Sequence, residues 1–298
     1  MKYIITGAAG HISGPLTEKL LEANHEVTLI GRDAGKLEKY RENGAKIAAG
    51  SVDDAAFLEG VFRGADAAYL MIPQNPETDD FRGFQQRVAE NYVQALKTNG
   101  IKKVVVLSSI GAHMGKGAGP VDGVAYLEQI ITRELPSVDV VFLRPSYFFY
   151  NLFQQAGLIK NMNIMGGNFN FTDEKMVLTH TSDIVVVAFE QLNNLDFTGK
   201  TVKYIASDER STEEIREELA KASGKPETPW IQFSDEQAYG GMLQAGVKPS
   251  LAKDYTDMGR ALREGKMQEE YWKNRPSSLG RIKLKEFAQE FAAVYANI

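Results

Sequence analysis

Gly7 and Gly10 stand three residues apart directly after a short apolar, β-prone run, Tyr3 to Ile5, in the opening sequence MKYIITGAAGHISG. Glycines at this spacing suit pyrophosphate binding. Without side chains the backbone turns tightly and approaches the phosphates, while the free N–H groups and dipole of a following helix hold the negative charge. The pattern reads G-x-x-G-x-x-S-G, with Ser13 and then Gly14 where the full fingerprint repeats a glycine. A bare glycine motif also has a bland reading, a turn that only packs strand on helix. Here a strand precedes it, an amphipathic segment with Leu16, Leu20 and Leu21 follows, and a second strand comes at the right distance. Gly7, Ala9, Gly10, His11 and Ile12 are therefore candidate contacts to a dinucleotide.

The tip of that second strand, about 25 residues after Gly7, reads Gly31-Arg32-Asp33. In a dinucleotide fold this position meets the adenosine ribose, where an acid suits the 2′-hydroxyl of NAD and a cation suits the 2′-phosphate of NADP. Arg32 and Lys36 thus favour NADP(H) over NAD(H), with Asp33 one residue late as the competing ribose acceptor. Proton transfer is a separate question. A tyrosine with lysine four residues later on one helix face would be the familiar acid–base pair of an alcohol dehydrogenase, since the lysine lowers the phenol's pKa. None of the twelve tyrosines has that partner, and Tyr126, on a suitable helix, is followed by Ile130.

These residues need a scaffold, and the chain has the rhythm of one. Strands are predicted at Tyr3–Ile5, Glu26–Ile30, Ala45–Ala49, Ala67–Met71, Lys103–Ser108 and Val138–Leu143. Helices are predicted between them at Pro15–Ala23, Lys36–Glu42, Asp54–Phe62, Phe81–Asn99 and Ala125–Leu135. The expected fold is α/β, a doubly wound parallel sheet whose ligand site lies beyond the carboxyl ends of the strands. Residues 1–150 would form the nucleotide-binding domain. Residues 151–298 would form mostly a smaller α/β cap, with some segments returning to the sheet; a helix is predicted in this region at Ser182–Leu192 and a strand at Thr201–Ile205. Asn151 to Thr179 reads as polar and irregular, and a last helix spans Leu284–Ala296.

Composition narrows the classes. With 298 residues, 43 % of them hydrophobic, a large core is available. A net charge of -5 without a basic block leaves no footprint for nucleic acid and disfavours an anionic membrane surface. The absence of cysteine removes disulfides, thiolate metal sites and a cysteine nucleophile, and the four histidines show no ligand spacing, so no metal is expected. No signal peptide or spanning segment is read, and the cytoplasm is the expected compartment.

TGAAGHISGPL, the GRD tip, GADAAYLMIP, VVVLSSIGA, FLRPSYFFYNL, LTHTSDIVVVA and SSLGRIKLKEFAQEFA, in this order, resemble the NmrA-like branch of atypical short-chain dehydrogenases over nearly the whole chain. The resemblance implies a Rossmann domain with a small C-terminal substrate domain. It also implies either an NADPH-dependent reductase of quinones or of azo or triphenylmethane dyes, or a redox sensor that binds NAD(P) without turnover. Two departures stand out. Ser13 replaces the third glycine, and Ser51 with Val52 occupies the place of an Asp beside the adenine, for which Ser51 or Asp53 would substitute. Val124 holds the position before Glu128 where relatives carry lysine.

Further candidates follow the strand ends. Tyr69, Leu70, Met71, Ile72 and Pro73 are expected along the nicotinamide half of the cofactor, the first three with ordinary buried strand as their alternative. Ser108, Pro145 and Ser146 complete the cofactor set. Ser109 resembles the dehydrogenase serine in position, or is a turn former. Ser109, His113 and Tyr126 are the catalytic candidates. His113, in the loop GAHMGKGAGP, is also a substrate candidate, with Tyr147, Phe148 and Phe149, on which a flat molecule would stack unless they are core, and Asn151, expected to bond backbone near the site. His180 and Asp183 are read as fixing the cap. The expected activity is hydride transfer from NADPH to a planar conjugated acceptor; the rivals are the redox sensor and an epimerase with tightly held NAD. A small-molecule acceptor is the expected partner, and a homodimer the candidate assembly.

Overall fold

The apolar run that opens the chain becomes the centre of the molecule. Tyr3, Ile4 and Ile5 are each at most 3 % exposed, as expected where helices cover both faces of a parallel sheet. The structure is a computed structural model and describes residues 1–8 and 10–298. In chain order the first half comprises β1 (Lys2–Ile5), α1 (Ser13–Glu22), β2 (Glu26–Gly31), α2 (Ala34–Glu42), β3 (Lys46–Ala49), α3 (Ala55–Val61), β4 (Ala67–Leu70), α4 (Phe81–Asn99), β5 (Lys103–Leu107), α5 (Val121–Glu134) and β6 (Asp139–Pro145). The second half comprises β7 (Tyr147–Phe148), α6 (Gln154–Met162), β8 (Met165–Gly167), β9 (Met176–Thr179), α7 (Thr181–Asn194), β10 (Lys200–Ile205), β11 (Asp208–Arg210), α8 (Thr212–Ala222), β12 (Trp230–Gln232), α9 (Asp235–Gln244), α10 (Pro249–Arg263), α11 (Glu269–Lys273) and α12 (Leu284–Ala296).

The main sheet is parallel, in the order β3-β2-β1-β4-β5-β6-β10. This is the doubly wound arrangement, and the order reverses between β1 and β4, where a crevice opens beyond the strand ends. Local chemistry sets the helix limits. Asp80 caps α4 by accepting from the Gly83 amide at 2.9 Å, and Gly100, at φ 65°, ends it in the left-handed region.

Alternating strand residues feed two cores. Leu58, Val88, Tyr92, Leu127 and Ile131 of α3, α4 and α5 pack one face of the sheet, and Leu16, Leu20, Leu37, Ile184 and Ala188 of α1, α2 and α7 pack the other. A third core, built on Phe149, Met165, Leu219, Phe287 and Phe291, holds most of the second half. The sheet itself also takes segments from the second half. The strand at Thr201–Ile205 is the seventh strand of the main sheet, with Lys200 opposite Val140, and α7 packs against α1. The stretch read as irregular, Asn151 to Thr179, contains α6, β8 and β9; the two strands, three and four residues long, are too short to show a period. Among the described residues no helix is long and apolar enough to cross a membrane.

Candidate functional site

The glycine turn hangs between the ends of two strands at the switch point. The Thr6 amide donates to the Tyr69 carbonyl and the Ala8 amide to the Ile30 carbonyl, both at 3.1 Å. Gly7 has φ 80°, and a β-carbon there would lie 2.4 Å from Met71 Sδ. Among the described residues no side chain caps the N-terminus of α1 and no acid lies in its first turn, so the positive end of the helix is left for an anion. Ser13 does not crowd the contact its glycine counterpart would make. Its side chain is buried, and Oγ donates to the Thr6 carbonyl at 2.7 Å. Ala9 lies outside the described residues. His11 is exposed and Ile12 is buried as the residue before α1.

At the tip of β2 the competing carboxylate has another task. Asp33 Oδ1 accepts from the amides of Gly35 (3.0 Å) and Lys36 (3.3 Å) and so caps α2. Arg32 is exposed and has no hydrogen-bond or ion-pair partner among the described residues; Lys36 lies 3.9 Å from the Asp33 carboxylate, both side chains well exposed. Beyond β3, Ser51 Oγ accepts from the Asp53 amide (3.2 Å), Asn91 donates to the Val52 carbonyl (3.2 Å), and Asp53 pairs with Arg87 (3.2 Å). Both substitutes for the missing adenine acceptor thus already accept one hydrogen bond, Ser51 Oγ from the Asp53 amide and Asp53 Oδ1 from Arg87.

Within β4, Tyr69 and Leu70 are 0 % exposed and belong to the core, so their side chains are no cofactor contacts. Met71 is held on both sides. Its amide donates to Thr6 Oγ1 (2.8 Å), its carbonyl accepts from Tyr92 Oη (2.7 Å), and its thioether lies over Gly7. Ile72 is buried and Pro73 half-buried.

Ser108, at the end of β5, begins a buried polar chain that leads away from the crevice. Its hydroxyl donates to Glu128 Oε1 at 2.5 Å. Glu128 is gripped by Arg144 through Nε (3.0 Å) and Nη2 (2.5 Å), and Arg144 Nη1 donates to Tyr204 Oη at 3.1 Å. With side chains 9 % and 11 % exposed, Glu128 and Arg144 form a desolvated bidentate pair. The pair was missed in the sequence, yet a signal exists, because an arginine inside the apolar strand VVFLRP must find a partner. Ser109 is half-buried, and His113 sits in a short turn, Ala112–Met114, with both ring nitrogens buried and unpartnered among the described residues. Burial, and then the charge of Arg144, lower its pKa, so it is neutral at neutral pH. Tyr126 turns to the surface and donates to Glu90 Oε1 at 2.9 Å, a bond that raises the phenol's pKa.

The aromatic cluster divides. Phe149 is 0 % exposed and stacks on Phe287 at 4.9 Å, and Tyr147 is 7 % exposed against Phe169, so both are core; Phe148 alone is half-buried. Pro145 accepts from the Ile110 amide at 2.8 Å. The Ser146 amide donates to Ile205 O and Thr179 Oγ1, while its buried Oγ has no partner among the described residues. Asn151 is half-buried in the short turn Phe149–Phe153, and its side-chain amide has no hydrogen-bond partner among the described residues. Tyr150, not singled out in the sequence, is exposed and sits 4.5 Å from the His11 ring, tying the glycine turn to the second half beside a cavity of about 420 Å³. His180 caps α7, and Asp183 accepts from Ser207 Oγ (2.6 Å) and the Arg281 amide (3.0 Å).

These residues fit a dinucleotide. The turn admits no side chain at Gly7, the helix behind it is uncapped, and the orphaned hydroxyl of Ser146 is a buried group in want of a partner. Comparison with known proteins agrees. The chain is 22 % identical over 264 residues to a (4-alkanoyl-5-oxo-2,5-dihydrofuran-3-yl)methyl phosphate reductase from Streptomyces griseus, covering 88 % of this chain and 87 % of the relative. Its fold is shared with an NADPH-dependent quinone oxidoreductase from Escherichia coli solved with NADPH (TM-score 0.80, 19 % identity, 97 % of this chain and 99 % of that one). It is shared equally with the triphenylmethane reductase of Citrobacter sp. (TM-score 0.78, 17 % identity, 98 % and 100 %). Residues 7–147, a little under half of the chain, match the model of the NAD(P)H-binding family.

Proposed function

We propose that the protein is an NADPH-dependent reductase that delivers hydride to a planar, conjugated acceptor such as a quinone or dye. The observation that carries this reading is the state of α5. On the helix where a tyrosine–lysine pair would sit, Ile130 stands four residues after Tyr126 and Val124 where relatives carry lysine, and Tyr126 is tied to Glu90 at the surface. An acceptor that takes hydride without a protein acid suits such a site. The names of the similar proteins, which specify a quinone, a triphenylmethane dye and an oxo-dihydrofuran phosphate, support it.

Reduced nicotinamide, when bound, supplies the hydride. The glycine turn and the start of α1 would hold the pyrophosphate, Arg32 and Lys36 the 2′-phosphate, and Ser146 Oγ the amide end. Ser108 has one proton, already given to Glu128, so its oxygen accepts but does not donate. Residues 151–298 would supply most of the acceptor pocket, with Phe148 and His113 at its edge, and water the proton. Anaerobic addition of a quinone panel to the NADPH complex, followed by nicotinamide absorbance, tests the proposal. Turnover is expected. Tight binding without oxidation would instead favour the sensor, which the same lack of a general acid also suits.

Two variants sharpen it. Arg32→Ala should weaken NADPH by about 1.5–3 kcal/mol and leave NADH almost unchanged, because only the 2′-phosphate loses a charge-assisted bond; equal weakening of both in calorimetric titrations would refute the assignment. Tyr126→Phe should leave kcat within a few-fold of wild type, whereas loss of a true general acid costs about 100-fold or more. A drop of that size with NADPH affinity intact would return the tyrosine to the mechanism.

A further inference from the structure

β10 is the last strand of the main sheet and, among the described residues, pairs only with β6. The amides of Val140 and Ser146 donate to the carbonyls of Gly199 and Ile205, so the odd-numbered residues of β10 face β6, and the N–H and C=O groups of Lys200, Val202 and Tyr204 point to the open edge. A groove of about 920 Å³ follows this edge, between Val186 and Glu190 of α7 and the segment 274–281. Proteins blunt exposed edges with charge, proline or cover. Here Val202 is 42 % exposed and Val186 40 %.

Most charges in the groove are already paired: Arg144 with Glu128, Arg275 with Glu209, Glu270 with Lys273, and Asp183 with Ser207 and the backbone at 281. Three are without a partner among the described residues, the cations Lys203 and Arg281 and the acid Glu190. Alternation along β10 puts Val202 and Tyr204 on one face and Lys203 on the other.

We propose that this groove docks an extended peptide segment of a partner protein, alternating apolar with acidic residues, as an added strand on β10. The partner's main chain would complete the ladder, its apolar residues would meet Val202 and Tyr204, and its acids would meet Lys203 and Arg281. The concave shape argues for a single inserted strand over a second copy, since two identical hollows facing each other leave the space between them unfilled. No residue of the glycine turn lines the groove, so the proposal stands apart from the cofactor reading.

The test is fluorescence anisotropy of the full-length protein with a short labelled peptide alternating aspartate and valine, beside one with lysine for aspartate. Saturable binding is expected for the first peptide only, weakened about tenfold by the double variant Lys203→Glu/Arg281→Glu and by raised salt. Val202→Pro should also abolish it, because proline removes an outward N–H and none of the bonds to β6; circular dichroism checks that both variants fold. Absence of saturable binding, or binding indifferent to these variants, overturns the proposal. So does a concentration-dependent dimer in sedimentation that the same variants dissolve, for the occupant is then a second copy.

Discussion

Valine at position 10 is expected to abolish dinucleotide binding while leaving the protein folded. Among the described residues a β-carbon on Gly10 meets only the Gly7 carbonyl, at 3.1 Å, so the turn accepts it with a small shift; the rest of the side chain fills the space over the turn where the phosphates would lie. Affinity for NADPH should fall by more than about 100-fold, about 2.7 kcal/mol, with a melting temperature near that of wild type. Gly7→Val should differ in kind. Its positive φ strains any larger residue by roughly 1–3 kcal/mol, and the new atom would collide with Met71 at 2.4 Å, so stability and binding fall together. Calorimetry and thermal melts on the two variants separate these outcomes, and unimpaired NADPH binding by Gly10→Val would move the dinucleotide elsewhere.

The second large effect is on stability. Glu128→Ala should cost about 3–5 kcal/mol in urea unfolding, because it leaves the Arg144 guanidinium buried with only Tyr204 as a neutral partner and strands the Ser108 hydroxyl. Replacing both ions, as in Glu128→Leu/Arg144→Met, should recover much of that loss, since desolvating the pair offsets most of its attraction. A loss below about 1 kcal/mol for the single variant would mean that solvent screens the pair as it does a surface bridge.

The parts of this fold legible in the sequence are those written in local pattern. Six strands and their crossover helices were readable because fully apolar runs alternate with amphipathic ones, and for α4 and α12 the predicted and observed limits coincide. The glycine turn and the cationic tip of β2 were likewise local. What was not legible depends on partners distant in the chain. Whether Thr201–Ile205 lies in the cap or at the sheet edge is decided by its pairing with Val140, about 60 residues earlier, which no window contains. That Asp33 would cap α2, and so leave Arg32 alone at the tip, follows only once α2 is seen to start at Ala34, two residues ahead of the predicted Lys36. The aromatic run at 147–149 illustrates the ambiguity of type without direction: the same rings suit a flat ligand or a core, and Phe149 is core because Phe287 arrives from the last helix to cover it.

The late arrival of β10 bears on how the protein is made. β6 is flanked by β5, synthesised earlier, and by a strand that leaves the ribosome only after more than fifty further residues, which include β7, β8, β9 and α7. During that interval the nascent sheet ends in Val140, Phe142 and their open backbone groups, an apolar template for pairing with another chain. A chain halted near residue 150 should therefore aggregate, and release from chaperones should track emergence of residue 205, not completion of the first six strands.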